Sequence, residues 1–172
     1  MTKRVPFNSQ LPVELNAAIG AFITTWSNTS ALLTMLISNL AAGKTLGPED
    51  DMVFAFAHVG MDVRVQLGLI RTMGAARLGR KHEKEIGKLC DRLENSKGQR
   101  DKLAHAPWRL SDKGESLIHS IKTVGKVKLT LDVVTVESVK EETQKLIESV
   151  ADLLALVQRF GFLADYELSS QV

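Results

Sequence analysis

Residues 15–43 carry no charged side chain, and that stretch constrains the fold more than any other feature of the sequence. A bilayer span needs about 20 predominantly apolar residues, so the length invites that reading. Asn16, Thr24, Thr25, Ser27, Asn28, Thr29, Ser30, Thr34, Ser38 and Asn39 interrupt it too often, and no membrane association is expected. Leu15, Ile19, Phe22, Trp26, Thr29, Leu33, Leu36 and Leu40 instead step alternately by four and three, returning to one side of a helix. Only Thr29 breaks this apolar stripe. The spacing predicts a long first helix, uncharged because it is largely covered, and ended by Gly43.

Three further segments follow. Gly47-Pro48-Glu49-Asp50-Asp51 has the proline and acids of a helix start and leads into the stripe Val53, Phe56, Gly60, Val63, Leu67, Ile70 and Gly74. Two long helices joined by a short loop should form an antiparallel hairpin. A third helix is expected from about Lys81 with Ile86, Leu89 and Leu93. It should loosen at Asn95-Ser96-Lys97-Gly98, resume through Leu103 and stop before Pro107. In residues 115–134, Val127, Leu129, Leu131 and Val133 alternate with Lys126, Lys128, Thr130 and Asp132, a half-buried strand. Ser116–Val124 is its expected hairpin partner, turning at Gly125-Lys126. Ser138 and Glu141 form a capping box for a last helix with the stripe Val139, Thr143, Leu146, Val150, Leu153, Val157 and Phe160.

No repeat, low-complexity tract or linker interrupts the 172 residues, so a single domain over 1–172 is expected. The fold class is mainly α: an up-and-down bundle of four to five helices with a small β-hairpin before the last helix. Hydrophobic residues at 44% and charged residues at 24% argue against disorder. Cys90 is the only cysteine, which excludes an intrachain disulfide and a cysteine-rich zinc site and suits a reducing, cytoplasmic setting. Lys3, Arg4, Pro6, Asn8 and Glu14 occupy the region where a signal peptide needs an apolar run, so no targeting segment is expected. Residues 71–109 hold 11 Lys/Arg against 5 Asp/Glu, a local +6, although the whole chain is only +2. This basic segment can meet phosphates, or it can be a solvated helix face.

Arg100 lies seven residues beyond Leu93, as Leu93 does beyond Ile86, so an unbroken helix puts the guanidinium on the apolar stripe. A charge there needs a partner or a ligand. His105 is five residues further, about 140° around an ideal helix, so the two side chains diverge. Either the helix end distorts before Pro107, or two chains assemble the pair across a twofold near residues 99–108. That awkwardness points to a homodimer.

The run Arg100-Asp101-Lys102-Leu103-Ala104-His105, on a helix beside a basic segment, resembles the motif of HEPN-type proteins. Arg100, Asp101 and His105 match the motif's arginine, following polar residue and histidine, and Trp108 matches an aromatic beyond the histidine. Asp101 stands where the family more often has asparagine, and the hairpin is an addition to its core layout. The resemblance implies a HEPN-like bundle and, in its enzymatic form, metal-independent RNA cleavage to a 2′,3′-cyclic phosphate. His105 would take the ribose 2′-OH proton, and Arg100 would hold the phosphate. Lys102 and Arg109 would contact the RNA backbone, with Trp108 as a packing residue or a stacking platform. Such an enzyme would be a toxin or defence component with a cognate antitoxin or other protein partner. The family also includes non-catalytic dimerisation modules, and both readings stay open.

No phosphate-binding glycine loop, metal-spaced cluster or Ser-His-Asp set is present, so neither cofactor nor metal is expected. His58 with Asp62 reads as a surface or interface pair, and Arg64 with Arg71 as a solvated face. His82 reads as exposed, and His119 as a strand residue with no ligand partner.

Overall fold

The computed structural model describes residues 11–42, 61–124 and 126–161. In chain order these form α1 (Val13–Ala42), α2 (Val63–Leu78), a 3₁₀ turn (Arg80–His82), α3 (Glu83–His105), β1 (Trp108–Leu110), β2 (Ser116–Val124), β3 (Lys126–Val133) and α4 (Val136–Arg159). The protein is therefore mainly helical with a small antiparallel sheet. No helix among the described residues is long and apolar enough to cross a membrane. The chain divides into two compact units, Met1–Trp26 with Ser96–Lys145, and Ser27–Asn95 with Leu146–Val172.

Among the described residues, the second unit is helical. Leu33, Leu36, Ile37 and Leu40 of α1, Leu67 and Ile70 of α2, Ile86, Leu89 and Leu93 of α3, and Leu146, Leu153 and Val157 of α4 are buried. α3 and α4 run antiparallel, since Arg92 bonds Asp152 and Glu85 bonds Arg159. α2 and α3 do the same: Arg71 meets Asp91, while a Cβ on Gly74 would touch the Ile86 side chain. Gly74 is what lets these helices approach there. α1 and α2 are bridged from Gln66 Nε2 to Thr34 Oγ1 at 3.3 Å and from Arg77 to the Leu40 carbonyl at 3.0 Å. Thr34 and Ser38 turn their buried hydroxyls back on α1 itself, Thr34 donating to the Ser30 carbonyl and Ser38 to the Thr34 carbonyl.

Those two bridges correct the expected hairpin. Position advances along α1 and α2 together, so the described helices cross in the same sense. The expected start at 47–51 lies outside the described residues. α2 begins at Val63, where Asp62 caps it by accepting from the Arg64 amide at 2.8 Å.

In the first unit, Leu15, Ile19, Phe22 and Trp26 of α1 are buried, as are Leu103, Ile118 and Val139. The expected loosening at 95–98 does not occur: α3 is continuous from Glu83 to His105. Ser96 is buried on the stripe of Leu89, Leu93 and Leu103, and Lys97 pairs with Asp101 one turn on. Tertiary cover and an i,i+4 ion pair outweigh four residues of weak helix propensity.

The two expected strands pair, with Ile118 opposite Asp132 and Val124 opposite Lys126; Lys126 belongs to β3 rather than to the expected Gly125-Lys126 turn, and Gly125 lies outside the described residues. A third strand, β1, adds to it by pairing Trp108 with Ile118, so the sheet order is β1-β2-β3. The facing of β3 is the reverse of a buried apolar side. Ile118 is buried, and Asp132 shares its register, reaching Lys102; Leu131 and Val133 remain 53% and 54% exposed. The last helix is capped one turn earlier than expected. Thr135 Oγ1 accepts from the Ser138 amide and Ser138 Oγ from the Thr135 amide, both at 3.1 Å.

Candidate functional site

The last two turns of α3 carry the charged cluster that the sequence marked out. The helix reaches His105, and the Ala106 amide still bonds the Lys102 carbonyl at 3.1 Å; Pro107, with no N–H, ends it. Trp108 then donates its indole N–H to the Leu103 carbonyl at 3.3 Å, so a half-buried tryptophan ties β1 to the open end of the helix.

Arg100 lies on the covered side, as an unbroken helix requires. Its Nε is buried without a hydrogen-bond partner, and its head emerges to leave the side chain 35% exposed. Nη1 donates to Asp101 Oδ1 at 3.0 Å and lies 3.3 Å from His105 Nε2. A guanidinium can only donate, so Nε2 accepts in this contact only in the tautomer whose ring proton is on Nδ1. One chain thus brings Arg100 and His105 together. The expectation that their divergence requires a twofold at 99–108 is corrected on this point. The 140° applies to the Cβ directions, whereas the length of the arginine side chain lets its Nη1 come within 3.3 Å of the imidazole.

Asp101 is shared, accepting from Arg100 and from Lys97 Nζ at 2.7 Å. Partial burial pushes its carboxyl up, but the hydrogen bonds from Lys97 and Arg100 together outweigh this and hold it below the usual carboxylate range. Lys102 points elsewhere, bonding Asp132 of β3 at 2.5 Å. Arg109 and His105 are both exposed. The structure therefore joins Arg100, Asp101 and His105, pairs Lys102 with the sheet, and commits the Trp108 N–H to the helix end.

Lys97 and Asp132 are the participants that sequence reasoning missed. Lys97 had a legible signal, its i,i+4 spacing to Asp101, hidden by reading 95–98 as a turn. Asp132 had none, because its pairing is set by the fold. Elsewhere, Arg71 bonds Asp91 and Glu94 and Arg64 approaches Glu94, so neither lines this site. His82 pairs with Glu85, His119 is half-buried, Asp62 is a helix cap, and His58 lies outside the described residues. No group of three His, Cys, Asp or Glu among the described residues could hold a metal ion. No family model, curated protein or solved structure matches the chain.

Proposed function

We propose that this chain is a metal-independent endoribonuclease of HEPN type, with Arg100 and His105 as its working pair. The observation that carries the reading is the 3.3 Å approach of the guanidinium to an exposed imidazole within one chain. His105 Nε2 has its lone pair directed at a cation that a phosphate would draw off. As RNA binds, Arg100 turns to the phosphate oxygens and frees Nε2 to take the proton from the ribose 2′-OH. The 2′-oxygen attacks phosphorus, the bond to the 5′-oxygen breaks as that oxygen takes a proton from water and leaves as a 5′-hydroxyl, and a 2′,3′-cyclic phosphate remains. Arg100 stabilises the charge developing on the non-bridging oxygens. Asp101 acts through Arg100 as a positioning residue, and Arg109, whose exposure supports the role, meets the RNA backbone. A toxin or defence enzyme of this kind would be held in check by a protein partner.

A second reading, a non-catalytic interaction module, draws on one observation. Lys97, Arg100 and Lys102 already have carboxylate partners. Incubation with single-stranded RNA separates the two. His105→Ala should lower the cleavage rate by roughly 10²–10⁴ with unchanged circular dichroism. Arg100→Lys should fail comparably, because the ammonium lacks the planar fork. EDTA should leave the rate unchanged, because side chains supply both the base and the cation. Cleavage that survives His105→Ala, or that EDTA abolishes, refutes the mechanism. A wild type that cuts nothing favours the interaction module.

A further inference from the structure

At the described end of the hairpin, Leu131 and Val133 are exposed while Ile118 is buried. Leu131 and Val133 are two of the most exposed large hydrophobic side chains described, and both belong to β3, the edge strand of the sheet. Edge strands are ordinarily kept short, bulged or interrupted by proline, because their open backbone groups template pairing with another chain. β3 has eight residues, Lys126–Val133, an unbroken register with β2 and no proline.

The phase of the open edge can be worked out. The Val134 amide donates to the Ser116 carbonyl at 2.9 Å, so even-numbered residues of this strand direct their backbone groups at β2. Odd-numbered residues, Val127, Leu129, Leu131 and Val133, direct theirs to the open edge, where no described residue pairs with them. Position 130 is therefore an allowed centre for antiparallel self-pairing, because symmetric odd positions would exchange both hydrogen bonds. About that centre the sequence is self-complementary. Leu129 falls opposite Leu131, Val127 opposite Val133, and Lys128 opposite Asp132. Apolar residues meet apolar ones at the odd positions; at the even ones Thr130 meets its own copy, and Lys128 meets Asp132, the carboxylate that also holds Lys102.

We infer that β3 is the pairing edge of a homodimer, in which two copies join their sheets antiparallel about a twofold axis at Thr130. The interface is isologous, continues the sheet from one copy into the other, and covers Leu131 and Val133. It lies on a different element from the Arg100 and His105 pair and does not depend on RNA cleavage.

Light scattering of the full chain at tens of micromolar should give about twice the 18.9 kDa of one chain. Leu131→Pro removes an outward N–H at a position where an edge strand tolerates proline, and should yield a monomer with unchanged circular dichroism. Thr130→Cys places a thiol opposite its own copy at a non-hydrogen-bonded site, where mild oxidation should trap a disulfide dimer. Cys90 does not compete, because it is buried and burial pushes its thiol up to about 11. A cysteine at exposed Glu137 should stay uncrosslinked at the same concentration. A monomeric wild type, a folded Leu131→Pro that remains dimeric, or a Thr130→Cys that crosslinks no more than the Glu137 control overturns the proposal. The crosslinking result decides the matter if Leu131→Pro does not fold.

Discussion

Asp101 joins stability to the candidate site. Its carboxyl is held below the usual range once the bonds from Lys97 and Arg100 have outweighed partial burial. A depressed carboxylate contributes stability at pH values above its unfolded pKa of about 3.9, and that contribution is lost as the pH falls through the folded value. Asp101→Asn should therefore be less stable than the wild type at pH 7 and should converge with it near pH 3. The side chain is 40% exposed, so the gap at pH 7 should stay below about 1 kcal/mol. Urea unfolding midpoints at the two pH values measure it. A gap that widens at pH 3 would contradict the assignment.

Among the elements, α3 has one replaceable weakness. Gly98 lies inside the continuous helix with no φ in the left-handed region, and a Cβ added there meets nothing within 4 Å. Gly98→Ala should stabilise the protein by about 0.5–1 kcal/mol, seen as a rise of a few degrees in Tm. A fall in Tm would mean that the helix needs the glycine.

The same element shows what the sequence could convey. α1 was legible because its residues repeat at the helical period over seven steps, and every one of them is buried, Thr29 included. α3 was legible in position but not in continuity, because the burial of Ser96 that holds 95–98 helical is a tertiary fact. β1 was invisible, since three residues, Trp-Arg-Leu, are too few to show a period. At Leu131, Asp132 and Val133 the alternation separates two faces, but alternation cannot say which face is covered. The identity of the Arg100 and His105 pair was legible, and its single-chain geometry was not. Angular phase records where Cβ atoms point but not how far a side chain reaches.

Across the whole molecule, the basic segment is less available than its local +6 implies. Arg71, Arg92, Lys97, Arg100 and Lys102 all have carboxylate partners among the described residues. Nearly half of the segment's 11 cations are thereby engaged, which leaves fewer to displace counterions from RNA. Non-specific binding to single-stranded RNA should therefore weaken only gently with salt. About three phosphate contacts at roughly 0.7 each give a slope near −2 in log K against log salt concentration. Titrations between 50 and 300 mM salt test this, and a slope steeper than about −5 would show that the ion pairs open to bind RNA.

The hydrogen bond from Gln66 to Thr34 has a consequence for alignment. Both side chains are buried, at 2% and 1% exposure, where the surrounding contacts between α1 and α2 are mostly aliphatic. Greasy surfaces slide past one another at small cost, but a buried amide finds its hydroxyl at only one offset. This bond works as a registration pin, setting uniqueness more than depth of stability. Thr34→Val would keep the volume and remove the pin, leaving a protein that still folds but samples more than one helix offset.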